Sequence, residues 1–111
     1  MATPLEELGD PLFFGVDGAG LEAPSPRRDQ AQRARVRALG GMQKEALVTS
    51  SASGTTWRLV SDEGEYLDGD DVAPCPLAFL TTGMVSSYMN EVLALADERD
   101  VDLRDVTLVQ D

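Results

Sequence analysis

The chain has 111 residues, enough for one small domain and too few for two. Twenty acidic against nine basic residues give a formal charge of −11, which disfavours duplex DNA, RNA and anionic membrane surfaces as partners. With no histidine and a single cysteine, Cys75, the chain by itself cannot form an internal disulfide, the usual zinc sites or Ser-His and Cys-His couples.

Residues 1–24 carry Gly9, Gly15, Gly18 and Gly20 around the apolar cluster Pro11-Leu12-Phe13-Phe14 and show neither a helical nor a strand period, which predicts an irregular N-terminal arm. Its two adjacent phenylalanines are expected either to dock on this domain or a neighbour, or to sit in a loosely ordered tail. The start Met1-Ala2-Thr3-Pro4-Leu5-Glu6-Glu7 lacks the basic and apolar regions of a signal peptide, and no stretch has the roughly 18–20 apolar residues of a membrane span. A cytoplasmic location without membrane contact is expected.

Residues 25–41 read as an arginine-rich helix. Ser25 is a candidate N-cap, Pro26 the first helical position, and Gly40-Gly41 the stop. Arg27, Arg28, Arg33, Arg35 and Arg37 make this a local basic patch, either solvated or facing an acidic partner. Residues 43–50 and 55–67, separated by Ser51-Ala52-Ser53-Gly54, are rich in strand formers and predict an antiparallel hairpin with Trp57, Leu59 and Ser61 on one face. A loop at 69–74 leads to the strongest element, a helix from Pro76 to about Arg99. Its apolar positions Leu77, Leu80, Met84, Tyr88, Val92 and Leu95 recur every three or four residues, and Val85, Met89 and Leu93 widen the stripe, as in a buried helix. Asp100 to Asp102 end it, and Leu103 to Gln110 predict a further strand. The fold class is therefore α+β.

This order of hairpin, proline-containing loop, long apolar helix, acidic Arg-bearing end and Val-rich strand resembles the OsmC/Ohr family. Its hallmarks are a segment like T-P-x-E-L-L-x-A-A-x-x-x-C on a buried central helix and a later stretch like E-R-x-G-x-x-L-x-D-V. The matching segments are Ala73-Pro74-Cys75-Pro76-Leu77-Ala78-Phe79-Leu80-Thr81-Thr82-Gly83-Met84-Val85-Ser86-Ser87 and Asp97-Glu98-Arg99-Asp100-Val101-Asp102-Leu103-Arg104-Asp105-Val106. The resemblance covers roughly 43–110, so residues 42–111 are similar to the N-terminal half of the family's domain. It implies thiol-dependent peroxidase ancestry, an interlocked assembly with sites at the subunit boundary, and completion of the fold by a second polypeptide: a separate half, a cleavage product or a homologous chain.

The departures from the family shape the expected chemistry. The position implied for the peroxide-reducing cysteine, eleven residues after the helix-initial proline, is Ser87, which cannot cycle through a sulfenic acid. The family's acidic residue falls on Leu77 and Ala78, and the resolving cysteine is not among these residues. The expected function is therefore a subunit of a heteromeric OsmC-like enzyme whose boundary site is repurposed for a small, hydrophobic substrate. The alternatives are a non-catalytic structural or binding subunit supporting an active partner, and a hydroperoxide reductase using Cys75.

Cys75 lies at the helix start, where the dipole favours a thiolate, although Asp70 and Asp71 oppose it and such cysteines often simply pack. Ser87, Tyr88, Asn90 and Glu91 interrupt the apolar helix. Facing a pocket, Glu91 would serve as general acid or base, with Ser87 or Tyr88 orienting the substrate and Asn90 and Met84 lining its site; otherwise this face is solvated. Asp68-Gly69-Asp70-Asp71 has no EF-hand spacing and reads as an acidic turn, and no glycine pattern matches a nucleotide fingerprint, so no cofactor or metal is expected.

Overall fold

The computed structural model describes residues 14–15, 22–24 and 31–111. One antiparallel sheet has the order β1-β4-β3-β2, with β1 at Phe14–Gly15, β2 at Gln32–Gly40, β3 at Gln43–Ser50 and β4 at Thr56–Ser61. A 3-10 turn, Glu65–Leu67, and one helix, α1 at Pro76–Glu98, follow it. The class is mixed α+β.

Strand β2 corrects the expected helix at 25–41: from Gln32 to Gly40 the backbone is extended and paired along β3. Residues 25–30 of that expectation lie outside the described residues. Arginine, alanine, glutamine and leucine, which fill most of this stretch, are individually good helix formers, but Arg33, Arg35 and Arg37 alternate with Ala34, Val36 and Ala38, which is the two-residue period of a strand. Pairing with β3 overrides the propensity. The glycines read as a helix stop instead close the β2–β3 hairpin, and Gly41 takes φ +55, a conformation that costs L residues about 1–2 kcal/mol.

The β3–β4 hairpin forms as expected, in a register running from Lys44↔Ser61 to Thr49↔Thr56. The strand ends at Ser61, however, and residues 65–67 coil into the 3-10 turn. Of the N-terminal arm, Phe14 and Gly15 pair with Arg58 and Trp57 on β4. The remaining residues through 21, and the placement of the phenylalanine side chains, lie outside the described residues.

The register assigns the sheet's two faces. Ala34, Val36, Ala46, Val48, Trp57 and Leu59 share one of them, and this apolar face is open: Val36 is 60% and Trp57 46% exposed. The opposite face places Arg33, Arg35 and Arg37 beside Thr49, Leu47 and Glu45, with Arg58 across from Leu47. Leu47, Thr49 and Thr56 on this second face are buried, Leu47 to 7% exposure. Its cross-strand neighbours are arginines, whose aliphatic stems can cover apolar surface while their charged heads stay wet.

The loop from Asp62 to Pro74 fixes where α1 begins. The Asp62 N–H and the Ser61 hydroxyl both donate to the Pro74 carbonyl, at 3.2 and 2.9 Å. Asp62 is fully buried, and its Oδ2 accepts the N–H groups of Asp70 and Val72 at 3.1 and 3.3 Å. Gly69 is obligatory, since a Cβ there would meet the Glu63 carbonyl oxygen at 1.9 Å. Asp68 and Asp71, both with positive φ, complete the reversals.

The expected strand at the C-terminal end is not formed. Residues 101–111 run without ladder partners among the described residues, and Asp100 and Asp105 take the left-handed conformation, φ 54 and 53, which interrupts extension.

Candidate functional site at the central helix

Helix α1 spans the predicted residues, with Cys75 at the N-cap position and Pro76 opening the first turn. Pro76 suits that place because its missing N–H has no partner there anyway. The expectation that α1 is buried is corrected within this chain. Leu77, Leu80 and Tyr88 are 67%, 61% and 55% exposed, Met84, Leu93 and Leu95 are exposed as well, and Ala96 alone among the helix residues is buried. The half-buried side is instead Ala78, Thr81, Val85, Met89 and Val92, the neighbouring stripe at the same spacing. The substantial element-to-element packing among the described residues is strand on strand, so the sheet does not cover α1.

The residues expected to carry chemistry separate along the helix. Ser87, Tyr88, Asn90, Glu91 and Met84 all lie on α1 and are exposed, whereas Cys75 is half-buried at its start, three turns before Ser87. Ser87 and Glu91, four apart, are neighbours on the helix surface, but neither side chain has a hydrogen bond or ion pair among the described residues. Glu91 occupies a distinctive place: at 100° per residue it falls inside the exposed apolar stripe, three residues after Tyr88 and four before Leu95. Any surface that covers this stripe therefore meets one carboxylate among apolar side chains. Cys75 makes no side-chain capping hydrogen bond, and its carbonyl accepts the Ala78 N–H at 3.0 Å.

The electrostatics that do depart from ordinary values lie away from α1. Burial pushes the Asp62 carboxyl up, but the N–H groups of Glu63, Val72 and Asp70 and the charge of Lys44 outweigh it, and the net shift is downward. Its Oδ1 has no hydrogen-bond partner of regular geometry among the described residues. The Arg58 hydrogen bond lowers Glu45, burial opposes it, and Arg37 adds to the lowering. These groups anchor the loop and the sheet. Among the described residues, no three Cys, Asp or Glu side chains converge as a metal site requires.

Two structural features were missed in the sequence, the arginine row of β2 and the buried Asp62. The first was signalled by the period-two alternation of residues 33–38; nothing in the sequence separates Asp62 from the five other acids between 62 and 71. No family model, curated protein or solved structure matches the chain. Among the described residues, no helix is long and apolar enough to cross a membrane.

Proposed function

We propose that this chain is a subunit of a larger OsmC-like assembly in which a second polypeptide covers α1, and that the boundary so formed is the functional site for a small, hydrophobic substrate. One observation carries the reading: the longest element of the chain presents Leu77, Leu80, Met84, Tyr88 and Leu95 to solvent in one stripe. A contiguous apolar patch of this kind marks a surface that associates. The open apolar face of the sheet adds to it. The order of antiparallel hairpin, pinned loop and long helix supports the family likeness, and the completing chain would be a separate half, a cleavage product or a homologue.

Two versions of this role differ at Glu91. In the catalytic version, the covering surface closes a site around Glu91, which serves there as general acid or base beside Ser87. In the supporting version Glu91 pairs with a cation of the partner and the chain performs no chemistry; both Ser87 and Glu91 are exposed and neither side chain has a hydrogen bond or ion pair among the described residues. Peroxide reduction through Ser87 is chemically closed, and Cys75 sits too far along the helix to replace it in the same position.

The test is Leu80→Asp, examined by sedimentation velocity beside the wild type. The expected result is a wild type heavier than 11.9 kDa and a variant shifted toward that mass. Identical masses for the two would count against the stripe as an interface. Glu91→Gln in the assembled complex then separates the versions: lost turnover with intact assembly supports catalysis, and lost assembly supports a structural ion pair.

A further inference from the structure

We propose that the outer edge of β2 is a docking site for an acidic β-strand supplied by a different polypeptide. β2 is the outermost strand of the sheet, runs nine residues, and is exposed at every one of them. Long exposed edges are templates for a further strand.

The outward hydrogen-bonding groups follow from the ladder. The Ser51 N–H donates to the Ala31 carbonyl at 2.9 Å, so the backbone of Ala31 points inward at the β3 side. Antiparallel ladders alternate, which turns Arg33, Arg35 and Arg37 inward as well. Gln32, Ala34, Val36 and Ala38 therefore direct their N–H and C=O groups outward, and no strand lies beyond them among the described residues.

The side chains at the same positions select what pairs there. Arg33, Arg35 and Arg37 share one face, and Ala34, Val36 and Ala38 the other. Arg35 is engaged within the chain, and the argument rests on the other two. Arg33 donates to the Glu22 carbonyl at 3.0 Å and makes no ion pair among the described residues. Arg37 shares the single Glu45 carboxylate with Arg58, which holds it more closely, 2.8 against 3.3 Å. The face is thus net positive in a chain of formal charge −11, whose remaining charge is screened beyond about 8 Å at physiological salt.

An incoming antiparallel strand meets Arg33 and Arg37 at its non-hydrogen-bonded pairs, where Cα atoms stand about 4.5 Å apart and side chains are closest. Carboxylates at alternate positions fit these sites, and small apolar residues between them extend the Ala34-Val36-Ala38 face. A second copy's β2 does not fit. Every register that keeps the faces matched sets arginine against arginine, and a one-residue slip turns the row onto the apolar face. This inference is independent of the OsmC-like reading, because the sheet alone defines the edge.

The probe is the synthetic peptide Thr-Glu-Val-Glu-Val-Glu-Thr, titrated into the isotope-labelled full chain and followed by amide NMR, with a Lys-for-Glu peptide as the counterpart. The acidic peptide is expected to shift and protect the Ala34, Val36 and Ala38 amides. The Lys peptide should leave them unmoved, and the double variant Arg33→Glu/Arg37→Glu should bind at least about tenfold more weakly. Val36→Pro removes an outward donor without touching the β3 ladder, so it should abolish binding with circular dichroism unchanged. Unmoved β2 amides, equal binding of the Lys peptide, or full binding by Val36→Pro in a folded chain would each overturn the proposal. A monomeric mass would count against the assembly reading and leave this one standing.

Discussion

The Arg58 Nε donates to Glu45 Oε2 at 2.8 Å, and this bond is the main reason the Glu45 carboxyl is held below its usual value. Asp62 is also lowered, because the N–H groups around it outweigh the cost of its burial. Both groups titrate lower in the folded chain than in the unfolded one. Their contribution is complete above the unfolded carboxylate pKa, about 4, and is lost as pH falls through the folded values. The difference in melting temperature between the wild type and Glu45→Gln/Asp62→Asn is therefore expected to be constant from pH 7 to about 5 and to shrink below about 4. A difference that grows on acidification would contradict this.

Gly69→Ala and Gly64→Ala should part company. A Cβ on Gly69 runs into the Glu63 carbonyl, which the loop's hydrogen bonds hold in place, so the backbone must move at a cost of about 1–3 kcal/mol or more. At Gly64 the obstacle is the ring of Tyr66, which is exposed and can swing away, so a far smaller loss is expected. Urea denaturation of the two variants reads the contrast, and equal midpoints would show that the loop is not pinned.

Asp62 explains why the loop holds its shape. Asp62→Ala removes the acceptor for the Asp70 and Val72 amides, and hydrogen exchange at those two amides should speed up markedly while the β3–β4 ladder stays protected. Glu65→Ala, at an exposed residue without a positive φ, serves as the control and is expected to leave the Val72 amide unchanged. Equal exchange in the two variants would remove Asp62 from this role.

Local patterns made much of this fold legible. The long three-and-four spacing of apolar residues, with proline at the start, located α1 to within one residue of its end, and the strand formers flanking Ser51–Gly54 located the β3–β4 hairpin. The β2 strand was misread because alanine and arginine favour helices individually, whereas their alternation carried the information. The C-terminal strand was misread because Val and Leu content cannot report whether a neighbour is there to pair with. Periodicity likewise showed which face of α1 is apolar and not whether this chain covers it. For the same reason the spacing set Ser87 and Glu91 side by side but carried no information on what encloses them, and both are exposed.

On the proposed OsmC-like reading, which sets Ser87 where the family has its reactive cysteine, dithiol-driven reduction of an organic hydroperoxide is expected to stay at the uncatalysed rate. Cys75→Ser should change nothing. Turnover in an enzymatic range that disappears in Cys75→Ser would show that the thiol function resides at the helix start.

The central claim is that α1 is an interface helix, and native mass spectrometry of the purified chain, paired with its thermal unfolding, tests it most directly. The prediction is that the species that unfolds cooperatively is heavier than 11.9 kDa and that the monomer, where present, melts without a cooperative transition. A monodisperse 11.9 kDa monomer with a sharp, concentration-independent transition would contradict the account, because a chain that leaves Leu77, Leu80 and Tyr88 in water would then be stable alone.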